Sequence, residues 1–114
     1  MKIRNAVQNT RHFEVETKSQ EVKTLEHMIT EFDQMASELE RQVGVEEEQT
    51  GIRDTSHYAY STFARSAAQR QTNLRSSIAD LKEKLEAKIV ERDAILAEIE
   101  QANASAQREG YRAY

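Results

Sequence analysis

The chain has 114 residues, 38% hydrophobic but only 6% aromatic, enough for one domain yet poor in the bulky side chains that fill a thick globular core. A third of the residues are charged, proline and cysteine are absent and the formal charge is -4; this is the profile of long helices and coiled coils. It excludes disulfide frameworks and cysteine-held zinc, and so acidic a chain lacks the dense basic face that nucleic acid requires, so no nucleic-acid partner is expected.

The charge is segregated along the chain. Residues 1–13 carry three basic residues and no acid, and residues 14–49 carry eleven acids against three bases. Residues 55–79 then hold Arg65, Arg70 and Arg75 with no acid at all. The opening stretch Met1–Asn9 has no continuous apolar core, and nowhere do roughly 18 apolar residues run together as a membrane span needs. A soluble, cytoplasmic protein, at most peripheral to a membrane, is expected.

Helix is favoured from about residue 5, since only Asn and Thr interrupt good helix formers there. From Val22 the apolar residues fall alternately three and four apart: Val22, Leu25, Ile29, Phe32, Ala36, Leu39 and Val43. This is a heptad seam, with Val22, Ile29, Ala36 and Val43 at a and Leu25, Phe32 and Leu39 at d, and Met28 and Met35 flank it. Towards the N-terminus the same register places Lys18, Arg11 and Gln8 on the contact face, so packing is expected to loosen there.

Helix 1 is expected to end near residue 50, because Gly51 can take the left-handed conformation that closes a helix. Gly44 is the competing stop, but strong helix formers follow it. Residues 51–61 form the bend. Asp54, Thr55 and Ser56 can each cap a helix, Ser61 or Thr62 offers a second cap, and a short helical turn is expected before helix 2.

Helix 2 is expected over about 62–108, with a frayed tail over 109–114 in which Tyr111 and Tyr114 are contact candidates. Its seam reads Gln71, Leu74, Ile78, Leu81, Leu85, Lys88, Arg92, Ile95, Ile99, Ala102 and Ala106, broken by Lys88 and Arg92. Ile89 and Leu96 sit one position on, as a straight helix drifts from strict heptads. Two helices of matched length, each roughly 65 to 70 Å long at 1.5 Å per residue, favour an all-α fold: an antiparallel coiled-coil hairpin folded about residue 55. That register sets Leu39 near Gln71, Phe32 near Ile78, Leu25 near Leu85 and Lys18 near Arg92, and brings Glu40 and Glu46 near Arg70 and Arg65.

Catalytic and cofactor chemistry finds no support in the pattern. The three glycines are isolated, so no phosphate-cradling loop exists. His12, His27 and His57 are scattered, and His27 with Glu31 is the one pair spaced like metal ligands on a helix. A two-helix structure offers no enclosed cleft for a nucleophile and base. No catalytic, cofactor or metal site is expected, and the chain is not expected to be an enzyme. The cluster His57, Tyr58, Tyr60 and Phe63 can plug the closed end of the seam or serve as an exposed anchor, since Tyr and Phe are favoured at interface centres. With Arg65 and Arg70, which can pair within the hairpin or dock an acidic partner, these residues are the partner-binding candidates.

The segments Arg11–Glu16, Met28–Ala36 and Glu46–Ile52, together with His57–Ala64 and Ser77–Lys82, resemble the flagellar export protein FliJ family of the alphaproteobacterial type, over roughly residues 10 to 87. The bend segment is the most specific part, because it is not heptad sequence. Members of this type tend to carry a proline where Ser61 stands and to continue into a longer charged C-terminal extension. The resemblance implies a cytoplasmic component of the flagellar type III protein export apparatus, similar to the central stalk of rotary ATPases. Its partners would be the export ATPase ring, the export gate and substrate chaperones. The alternative is a structural or adaptor coiled coil that self-associates weakly into a helical bundle.

Overall fold

The structure, a computed structural model, describes residues 2–112, with side chains described over 3–110. Two long helices carry almost all of them: α1 spans Lys2–Thr50 and α2 spans Thr62–Arg112. Each follows from its sequence, being rich in Glu, Lys, Gln, Ala and Leu, free of proline and marked by an apolar residue every three or four positions. The helices pair antiparallel and divide into two compact units. The bend unit is Glu26–Glu83, and the terminal unit joins Met1–Leu25 to Lys84–Tyr114.

In the bend unit the seam is formed by Ile29, Phe32, Ala36, Leu39 and Val43 of α1 against Leu74, Ile78 and Leu81 of α2, all buried or half-buried. The buried row continues beyond the expected seam through Ala67, Ala64 and Tyr60, stepping back from Gln71 by four, three and four. Ala36 and Ala64 are fully buried. The seam next to the bend is thus lined by small side chains, and the buried Tyr60 fills its end. One flank, made of e positions, carries the ion pair between Asp33 and Arg75.

In the terminal unit Val22, Leu25, Leu85, Ile95 and Ile99 point inward, and Val22 and Ile99 are buried. Val15, Ile89 and Ala106 are half-buried beside them, and ion pairs join the helices along the rest of the unit. Lys18 Nζ lies 2.7 Å from Glu91, Arg11 2.9 Å from Glu98, Arg4 3.1 Å from Glu109 and Lys88 3.0 Å from Glu21. Arg4, Arg11 and Lys18 recur every seven residues at d, where an apolar seam would carry leucine, so each helical repeat offers a cation to a glutamate of α2. Lys18 and Lys88 both reach Glu91. Lys18 draws the Glu91 carboxyl below the usual glutamate range, and Glu21 pushes the Lys88 ammonium up.

Several expectations are corrected. α1 begins at Lys2, ahead of the expected start near residue 5. α2 continues through Gly110 to Arg112 in place of a frayed tail from 109, since one exposed glycine costs a helix only about 1 kcal/mol. The Tyr111 side chain and Tyr114 lie outside the described residues. Residues 55–60 form hydrogen-bonded turns, with no helical turn before α2. Among the described residues Glu40 makes no ion pair with Arg70, nor Glu46 with Arg65. Glu40 stands at e and Arg70 at g, and in an antiparallel pair like-lettered flanks face each other, so Asp33 and Arg75, both at e, meet instead.

Candidate functional site

The bend begins where α1 runs out of helical geometry. Gly51 has φ +73, the left-handed region that favours glycine, and its N–H donates to Glu47 O at 2.9 Å. The Thr50 hydroxyl then accepts from the Ile52 N–H at 3.2 Å. Asp54 organises the next turn. Its Oδ1 accepts from the Ser56 amide at 3.0 Å and the Ser56 hydroxyl at 2.6 Å, and its carbonyl accepts from the His57 N–H at 3.1 Å. Donation from Ser56 lowers the Asp54 pKa. The His57 carbonyl accepts from the Tyr60 N–H at 3.0 Å, and His57 Nδ1 accepts from the Ala59 N–H at 3.0 Å.

Ser61 ends the bend as the cap of α2. Its hydroxyl accepts from the Ala64 N–H at 3.1 Å, and its carbonyl accepts the first helical bond, from Arg65 N–H at 3.0 Å. The same hydroxyl donates to Glu46 Oε1 at 2.9 Å, and the Tyr60 hydroxyl donates to Glu47 Oε2 at 2.9 Å. Two side-chain bonds thus tie the end of α1 to the two residues that lead into α2. α2 has no acid in its own first turn. The carboxylates of α1 supply the negative charge that the positive end of the α2 dipole favours, and so settle an acidic run that would be unfavourable at the end of α1 alone.

The four aromatic candidates separate into two kinds. Tyr60 is buried, its hydroxyl engaged; burial first, and the Glu47 carboxylate second, push its pKa up. Tyr58 is 96% exposed and stacks on His57, with ring centroids 4.7 Å apart. Phe63 is 54% exposed on the first turn of α2. Arg65 holds the turn from outside, donating to Thr55 O at 2.9 Å with its guanidinium carbon 5.3 Å from the Tyr60 ring centroid. Arg70 lies apart from this cluster, on the rim of a shallow groove of about 600 Å³ with Met35, Leu39 and Leu74 among its lining. The structure therefore gathers His57, Tyr58, Tyr60 and Arg65 at the bend and places Phe63 and Arg70 along the helix pair.

Sequence reasoning missed the Tyr60–Glu47 and Ser61–Glu46 contacts. Their signal was the backward continuation of the α2 seam through Ala67 and Ala64 to position 60. His27 Nε2 and Glu31 Oε1 are 3.1 Å apart as a single exposed pair, and among the described residues no three His, Asp or Glu side chains gather to hold a metal. No described helix is long and apolar enough to cross a membrane. No family model, curated protein or solved structure matches this chain.

Proposed function

We propose that the chain is a non-enzymatic coiled-coil stalk and escort of the flagellar type III export apparatus, acting in the cytoplasm by binding the export ATPase ring and coupling it to the export gate and to substrate chaperones. The observation that carries this reading is the antiparallel helix pair closed by a fixed bend, since the resemblance to the FliJ family is most specific at the bend and implies this architecture. A stalk acts mechanically: an asymmetric helix pair held in a ring favours different conformations in successive ATPase subunits. The bend suits a role at a stiff end, because side-chain bonds from Tyr60 and Ser61 fix it to α1.

The test is a pull-down with the cognate export ATPase, followed by its hydrolysis rate with and without the chain. Co-purification and a changed rate are expected; neither occurring overturns the reading. A self-associating adaptor is the second reading, favoured by the exposure of Met35, Phe63 and Val90 on the helix surfaces. Light scattering distinguishes them: a stable dimer or tetramer that ignores the ATPase belongs to the adaptor.

A further inference from the structure

The two flanks of the seam in the bend unit differ in chemistry. The e positions are Glu26, Asp33, Glu40 and Glu47 on α1 and Ala68, Arg75 and Lys82 on α2, a charged row closed by the Asp33–Arg75 pair. The g positions are Met28, Met35, Gln42 and Gln49 on α1 and Phe63, Arg70 and Ser77 on α2, with no acid among them. Met35 is 52% and Phe63 54% exposed, and both are longer and more apolar than a solvated flank calls for. Between the helices on this side runs the groove whose lining includes Met35, Leu39, Leu74 and Arg70. Glu38, also on its rim, is engaged by Arg41 at 2.6 Å, whereas Arg70 makes no ion pair among the described residues.

We propose that the g flank of the bend unit is a docking groove for a third helix: an amphipathic segment of a partner protein that lays apolar residues over Met35, Leu74 and Phe63 and sets a carboxylate beside Arg70. A concave, apolar-floored groove between two helices is the shape a helix fills, and methionine adapts its surface to the incoming side chains. Charge chooses the partner. The flank's one ion without a partner is a cation, so an acidic helix gains a charge-assisted contact where a basic one meets repulsion. A second copy docked flank to flank would bring no acid at any g position to set beside Arg70. The proposal is independent of the export reading, since it rests on the flank alone.

The probe is a fluorescent heptad peptide of about 21 residues, leucine at a and d and glutamate at e and g, compared with a version carrying lysine for glutamate. Anisotropy with the full chain is expected to show the acidic peptide bound more tightly, with amide shifts along the g flank. Arg70→Glu should reverse the preference, weakening the acidic peptide by about tenfold or more, and Met35→Glu should abolish binding of both. Arg75→Ala on the opposite flank should change neither. Equal binding of the two peptides, or an equal effect of Arg75→Ala and Arg70→Glu, overturns the proposal. So does a chain dimer in light scattering that Met35→Glu dissociates, which would give the flank to a second copy.

Discussion

Tyr58 and Tyr60 stand two residues apart and do opposite things, because the turn at His57–Tyr60 leaves one ring in solvent and delivers the other onto the seam. Removing the Tyr60 hydroxyl leaves the Glu47 carboxylate without its donor in a part-buried site. Tyr60→Phe should therefore lower the melting temperature, followed by circular dichroism, by about 5 °C. The same variant should remove the late component of the alkaline phenolate titration, since the Tyr60 pKa is raised. Tyr58→Ala, which removes only an exposed ring stacked on His57, should shift the melting temperature by less than about 2 °C. Gly51 has open space around it, so its constraint is the backbone alone. Gly51→Ala should cost about 1 kcal/mol in denaturant unfolding, whereas at Gly44, inside α1, the same change should stabilise slightly.

At the scale of the elements, stability should track buried apolar layers more than exposed ion pairs. Arg75→Ala removes an exposed cross-helix pair and should change stability by no more than about 0.5 kcal/mol in urea titration. Ala64 leaves no room: it is fully buried beside the bend, on a seam that also buries Ala36 and Ala67. Ala64→Leu must push α2 away from α1 or twist the new side chain off its rotamer, and about 1 to 3 kcal/mol should be lost. An intermediate result for both variants would mean that the two kinds of contact contribute alike.

On the molecular scale the bend unit and the terminal unit are held by different forces. The bend unit buries Ala36, Leu39, Tyr60, Ala64, Ala67, Ile78 and Leu81; among the described residues the terminal unit buries Val22 and Ile99 and relies on its ladder of cations and glutamates. Amide hydrogen exchange should be faster over the terminal unit, and salt should accelerate it there by screening the ladder. The pH dependence follows from the signs. Glu91 has a lowered pKa, so its contribution is present above the ordinary glutamate value and lost as pH falls through the folded one. Lys88 has a raised pKa, so its contribution is present below the ordinary lysine value and lost as pH rises through the folded one. Protection from exchange in the terminal unit, taken relative to the intrinsic rate of a free amide at each pH, should be greatest between these limits; protection flat across both would show that the Glu91 and Lys88 pairs hold nothing.

The sequence alone determined the helices, their antiparallel pairing, the stop at Gly51 and the inward row from Val22 to Val43, because heptad spacing and glycine's backbone freedom are local properties that pairing merely uses. Of the bend, it also carried the capping capacity of Ser61 and the crowding of aromatics. What the tertiary structure decided was which partner each polar side chain takes. Projection along the chain brought Glu46 level with Arg65, yet the cap residue Ser61 takes Glu46, Tyr60 takes Glu47, and Arg65 turns back over the loop. Level alone does not make a contact; the flank a side chain leaves from does, and that is set only when two helices meet in a particular rotation.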